Sequence, residues 1–575
     1  MFKIKQKSKK PSNTVVKLPL TYQRVKPIDI QSFSNTDDDV YNPYEINHFQ
    51  YYYPHYKVFF EMTPSNCNQI TFNHSKQMIG HNRVYNHITK KEEECPIFIK
   101  YAPLLDPLRF LVGKYINDPT VKTLPLLNST KNECHEKLLD IHNASYVDCF
   151  FSYLVSQYKE QTGFKHGIDF YGTYLGIQQK FRYNMIDDID YLRDSAVFCE
   201  NPGLYEMDSN ELEIILQKTS SSDNSRKNRK ELTINPNEET IDLGVEYLEL
   251  DTESELIQNT NTNTNTNYET MGENIINSIT NTDIDADIDT DSRESLNLDS
   301  DSESQGSSSC YEDTTDSNCS DTNTNSVCDS DTNSDSDTNS NSDCDSDYDP
   351  KLFVYLKDFP MQMICQEKCV DTFDHLIISR TIKTDDEMVS ALIQVVMILI
   401  EYQRQFQFTH NDLHTCNIMY QHTSDPYLYY NVGNDKYRIP TFGRIYKLID
   451  FGRAIYTYEG MRFCSDSYSH GGDAYSQYNT EPYLNPDKDR VDPNYSFDLC
   501  RLACSLYDMV DSKFKQTREL VETWILDDFG KNVLYKQTGE ERYPDFKLYK
   551  MISRTVHNHI PLKQLEHPVI SQYKM

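Results

Sequence analysis

Three residues in the second half of the chain have the types and spacing that chemistry needs. His410-Asn-Asp412-Leu413-His-Thr-Cys-Asn417 sets a carboxylate and an amide five residues apart. Residues 446–452 then read YKLIDFG, an apolar run ending in Asp450-Phe451-Gly452. Carboxylate and amide oxygens are hard ligands that suit magnesium. A positioned carboxylate can also accept a proton. Phosphoryl transfer asks for both, because the incoming hydroxyl must be aligned and the spreading negative charge must meet metal ions.

Such groups need elements to hold them. Thr384-Asp-Asp-Glu387 is a capping box. Met388, Leu392, Val396, Leu399 and Ile400 follow on one stripe, which predicts a helix to about Gln405. That helix leads directly into the Asp412 loop. Upstream, 145–158 carries apolar residues at helical spacing. Residues 56–62, 97–100, 168–177 and 181–186 read as strands. Residues 1–55 are polar, Tyr-rich and punctuated by Pro, which predicts an irregular arm.

The chain has 575 residues and a formal net charge of −33. Residues 281–350 hold 21 Asp or Glu against one basic residue, Arg293, which leaves −13 for the rest. Between 207 and 350 the composition collapses into Ser, Asp, Asn and Thr, too polar to offset its ordering entropy, so a disordered insertion is expected. Its Ser-Asp repeats would suit phosphorylation by acid-directed kinases, or basic partners. The charge argues against nucleic-acid or membrane-surface binding. No apolar run approaches a membrane span; the longest covers only 395–400. The start lacks the apolar core of a signal peptide. Fifteen Cys without zinc spacing read as reduced thiols in a cytoplasm-like compartment.

The H-x-D-L-x-x-x-N and D-F-G pair resembles the catalytic core of the eukaryotic-type protein kinase superfamily, and is similar to the serine/threonine-protein kinases of mimivirus-type giant DNA viruses. The abundance of Tyr, Asn, Ile and Lys suits an AT-rich genome of that kind, and the host cytoplasm is the expected location, with packaging in a particle left open. The likeness covers about 70–204 and 351–570. It implies an α+β, bilobal protein-kinase-like fold: a small β-rich lobe and a mostly helical large lobe, with the long disordered acidic insertion in the small lobe. The division is then an arm at 1–55, the first part of the small lobe at 56–206, the insertion at 207–350, and the rest of the small lobe, hinge and large lobe at 351–575.

By this resemblance the cofactors are ATP and Mg2+. Asp412 is the catalytic carboxylate, Asn417 and Asp450 are metal ligands, and His410 holds the loop. Ile97-Phe-Ile-Lys100 makes Lys100 the clamp on the α/β-phosphates, with Asp148 as its best-placed acid and Glu136 and Glu160 as competitors. Backbone groups of Gln366–Lys368 would meet adenine, and Asp371 or Asp374 the ribose. Glu481 would anchor the activation segment, and Asp498 would tie the catalytic-loop backbone. The chain departs from the pattern at three places. Gly80, in Met78-Ile-Gly80-His-Asn-Arg-Val84, is the sole candidate for a glycine-rich loop. Asn411 stands where Arg is usual, and His414 where a Ser/Thr kinase has Lys. The 38 residues from Asp412 to Asp450 leave room for an inserted hairpin. The implied function is transfer of the ATP γ-phosphate to Ser/Thr hydroxyls of an unidentified protein. The alternatives are a pseudokinase binding module and an aminoglycoside- or choline-kinase-like phosphotransferase.

Overall fold

The computed structural model describes residues 15–33, 41–201, 203–207 and 352–575. These all belong to one compact unit, Met1–Ser221 with Ser304–Met575. A second unit, Ser222–Glu303, lies outside the described residues, as does nearly all of the insertion expected at 207–350. The fold is mixed α+β with a β-rich N-terminal region. Among the described residues, no helix is long and apolar enough to cross a membrane.

The elements that position the site are, in chain order, β1 (Ile46–Gln50), β2 (Ile97–Pro103), α1 (Ala144–Thr162), β3 (Phe170–Asn184), β4 (Phe353–Glu367), α2 (Asp385–Phe406), α3 (Phe497–Leu506) and α4 (Lys547–Thr555). The main sheet is antiparallel in the order β1-β3-β4-β2, and the short Tyr205–Glu206 strand also pairs with β4. The register sets Lys100 of β2 opposite Ile364 of β4. Helix α1 starts at Asn143, whose side chain accepts from the Ser145 N–H, and ends at Gly163 in the left-handed region. Helix α2 begins as its capping box requires, with Thr384 Oγ1 accepting from the Glu387 N–H at 3.2 Å. The hairpin expected between Asp412 and Asp450 is present as Tyr427–Val432 paired with Asp435–Pro440.

Three expectations are corrected. Residues 1–55 are not simply an irregular arm: β1 joins the main sheet, and Tyr22–Arg24 pairs with Ile70–Phe72. Both strands are too short to show an alternation. The 56–62 strand is instead a helix, His55–Phe59. Pro54 starts it with φ −55°, and its rings meet at helical intervals, His55 edge-on to Phe59 and Tyr56 tilted against Phe60. Finally, 168–177 and 181–186 are not two strands but one, β3. The polar Gln178-Gln-Lys stretch reads as a break. Gln178 is nonetheless fully buried, because its amide donates to Tyr41 Oη and the Pro43 carbonyl.

A column of rings links α1 to the loops that follow α2. Phe151 of α1 stacks on Phe408 with centroids 4.4 Å apart, and meets Phe451 edge-on at 4.7 Å. All three are fully buried. Phe151→Ala should therefore lower stability by about 3–5 kcal/mol in chemical denaturation. A loss below about 1 kcal/mol would show that this column is not the seam between the two regions.

Candidate functional site

The Asp412 loop is held from below by one carboxylate. Asp498, in the first turn of α3, accepts from the backbone N–H groups of His410 (2.9 Å) and Asn411 (2.8 Å). This geometry puts Asn411 at φ +65°, a left-handed conformation that Asn tolerates. The Asn411 side chain is consumed locally: its Oδ1 accepts from Tyr478 Oη at 2.8 Å, and its Nδ2 donates to the Arg453 carbonyl at 3.0 Å. His410 Nε2 lies 2.9 Å from the Ile449 carbonyl, and the Ile449 N–H donates to the Asn417 carbonyl at 3.1 Å. The loop carrying Asp412 and Asn417 is thus stitched to Ile449, which follows the Arg444–Leu448 strand and precedes Asp450. Asn417 Nδ2 donates to the Asp412 carbonyl at 2.9 Å and approaches His414 Nε2 at 3.0 Å.

From the opposite side β2 brings Lys100. Its ammonium is 2.8 Å from Asp148 Oδ2 of α1 and 2.9 Å from Asp450 Oδ1. The remaining Asp148 oxygen accepts from the Phe451 N–H at 2.9 Å. Asp148 is therefore the acid that pairs with Lys100. Glu136 pairs with Lys131 instead, and Glu160 accepts from Ser75 Oγ. Burial works against the Lys100 charge, but Asp148 and Asp450 outweigh it and raise its pKa. Burial would likewise raise Asp450, yet Lys100 holds it below the usual carboxylate range.

Asp412 sits between two guanidinium groups, Arg453 and Arg501, with the His414 imidazole beside it. Burial opposes its charge, but Arg453, His414 and Arg501, with a hydrogen bond from Tyr549, hold its pKa at about 2. Arg453 Nη1 is 3.6 Å from Asp412 Oδ2, and Arg453 also pairs with Asp473 at 2.8 Å. Lys100, Asp148, Asp412, Asp450, Arg453 and Asp473 line one cavity of about 880 Å³.

Asn417 is tied to the Asp412 carbonyl through the hydrogen bond above but does not itself line this cavity. Gly80, Gln366, Lys368 and Asp371 do not line it either. Gly80 ends the Lys76–Gly80 strand, which forms a separate three-stranded sheet with Arg83–Asn86 and Lys91–Glu94. Its φ is not in the left-handed region, so nothing there requires a glycine. Among the described residues, no strand pairs with the outer edge of β2. Several of the groups expected to meet adenine and ribose have partners within the chain. The Glu367 N–H donates to the Asp169 carbonyl (2.9 Å) and the Lys368 N–H to the Pro96 carbonyl (3.4 Å), while the Lys368 carbonyl accepts from Gln421 (2.7 Å). The Gln366 side chain donates to Ser152 Oγ. Asp371 accepts from the Thr372 N–H, and Asp374 from Thr415 Oγ1. Glu481 is paired with Arg490 at the surface.

The oxygens of Asp450 and Asn417 fit a magnesium ion in kind, since that ion takes one or two protein oxygens and completes its shell with phosphate and water. Among the described residues, no group of three or more His, Cys, Asp or Glu could hold a metal by itself. The substrate would have to supply the remaining ligands. Sequence reasoning missed Arg453, Arg501 and Tyr549. Arg453 adjoins Gly452 and could have been found by position. Tyr549 lies 137 residues beyond Asp412 and carries no local signal. A scan against protein-family models matches none, and a search of curated proteins finds no match.

Burial pushes His414 down to about 4, and it pushes His55, His74 and His166 down to about 3, 3 and 4. Their folded pKa values lie below the ordinary 6.5, so the unfolded chain binds more protons as pH falls. Stability should be full above pH 6.5 and drop steeply toward pH 4. His414→Gln, which keeps an acceptor for Asn417 but cannot titrate, should shallow that slope in denaturation curves measured at several pH values. A flat profile from pH 7 to 4.5 would refute the assignment of these histidines as buried and neutral.

Proposed function

We propose that this chain is a phosphotransferase of protein-kinase-like, bilobal architecture, moving the γ-phosphate of magnesium-bound ATP to a Ser or Thr hydroxyl of a protein. The observation that carries this reading is the Lys100 ammonium bridging Asp148 and Asp450, with Asp412 on the wall of the same cavity. No simple structural need gathers one buried ammonium, two acids from distant segments and a third acid backed by guanidinium groups. A triphosphate with its cation would use them all.

In this reading Asp450 and Asn417 hold the magnesium ion, which when bound neutralises charge on the transferring phosphoryl group. Lys100, already fixed by Asp148, meets the α/β-phosphates. Asp412 orients the hydroxyl and accepts its proton late, as suits a carboxyl with a pKa near 2 and a loose transition state. Asn411 is spent on Tyr478 and the Arg453 carbonyl, so it receives no loop phosphate.

One observation favours a second reading, a binding module that does not transfer phosphate. Of the Gln366–Lys368 backbone groups expected to meet adenine, the Glu367 N–H, the Lys368 N–H and the Lys368 carbonyl already have partners within the chain.

A thermal-shift titration with ATP separates the two. The wild-type protein should be stabilised by ATP only with magnesium, and Asp450→Ala should abolish the shift. Asp412→Asn should keep the shift but reduce transfer at least about 100-fold, measured with radiolabelled phosphate against protein and aminoglycoside acceptors. Absence of any magnesium-dependent shift in the wild type would leave the binding module as the better reading.

A further inference from the structure

Asp412 already has a hydroxyl bound to it. Tyr549, on α4, donates its phenol to Asp412 Oδ1 at 2.8 Å. That is the bond an acceptor hydroxyl has to make with the carboxylate that takes its proton. The phenol is itself held, since Arg501 Nε donates to Tyr549 Oη at 2.8 Å. The ring lies 5.0 Å from the Arg501 guanidinium and 5.6 Å from that of Arg453, and it stacks on Phe546 at 5.2 Å. Helix α4 is fastened beside the loop by Ser553 Oγ, which donates to the Gln477 carbonyl at 2.9 Å, and by Arg554, which donates to the Ser476 carbonyl at 2.8 Å.

We infer that Tyr549 is an internal occupant of the acceptor position, so that a substrate hydroxyl reaches Asp412 only by displacing it. This inference rests on the function proposed above, because it assigns Asp412 the acceptor hydroxyl. It makes Tyr549 a specificity-determining residue. Water and small alcohols cannot move α4, whereas an acceptor that binds across the 476–478 segment and the face of α4 can. The arrangement limits idle hydrolysis of the nucleotide and selects for acceptors with a large binding surface, as a folded protein or long peptide has and a small molecule lacks. The energy of those remote contacts opens the position, and so appears as specificity.

Tyr549→Phe keeps the ring and its stacking and removes only the hydroxyl. In the full-length protein it should raise kcat/KM for a protein acceptor about tenfold, through KM of the acceptor, as the loss of one hydrogen bond to a carboxylate implies. The KM for ATP should not move, and ATP hydrolysis without acceptor should rise. Ser553→Ala, which loosens α4 without touching Asp412, should change the same parameters in the same direction. A merely structural Tyr549 would lower kcat in both variants, which would overturn the inference. Phosphate appearing on Tyr549 itself would also overturn it, by making the residue an acceptor and not a barrier. The contact has a readout independent of activity: the carbon resonance of the Tyr549 phenol, assigned by comparison with Tyr549→Phe, should shift in Asp412→Asn. If neither the wild type nor the variants transfer phosphate, the proposed function fails and the acceptor-position inference with it. The resonance then still reports whether the Tyr549 contact exists.

Discussion

A largely buried ammonium must be neutralised, and in this chain that requirement joins three distant segments. Lys100 comes from a strand, Asp148 from a helix and Asp450 from just after a second strand. An isolated ammonium taken out of water costs several kcal/mol, which good geometry and further hydrogen bonds must offset. The second oxygen of Asp148 supplies such a bond by accepting from the Phe451 N–H, so the same carboxylate that holds Lys100 also fixes the turn presenting Asp450. Phe451, next to Asp450, is packed with Phe151 and Phe408 in a fully buried column of rings.

The loop at Asp412 follows a parallel logic with opposite charge. Asp498 takes two backbone N–H groups, and this forces Asn411 into the left-handed region and turns Asp412 toward the cavity. Arg453 and Arg501 then keep Asp412 ionised against burial. Arg453 also reaches Asp473, so the cavity wall is a chain of alternating charges and not a patch of one sign.

Much of this arrangement was legible in the sequence because it is local. The capping box at Thr384, the apolar stripe after it, and the short motifs around Asp412 and Asp450 are each set by neighbouring residues. Asp148 could be chosen only as the best of three acids, since its contact with Lys100 depends on how α1 lies on the sheet. The internal partners on the expected adenine side were hidden for a related reason. Whether the Glu367 and Lys368 backbone groups are free depends on Asp169, Pro96 and Gln421, all remote in sequence. Gly80 attracted notice as a lone glycine in a plausible order, but its strand belongs to a separate sheet. Tyr549 was invisible, because nothing in the residues around it marks a contact with a loop so far away.

The most direct test of the central ion cluster is a double-mutant cycle on unfolding free energy with Lys100→Met and Asp148→Asn. Removing Lys100 alone leaves the buried Asp148 and the partly exposed Asp450 without their shared cation, and should cost about 2–4 kcal/mol. Neutralising Asp148 as well should recover a large part of that loss, giving a coupling of at least about 1 kcal/mol. Additive losses from the two substitutions would contradict the account, because the ammonium would then not be what joins the strand, the helix and the Asp450 turn.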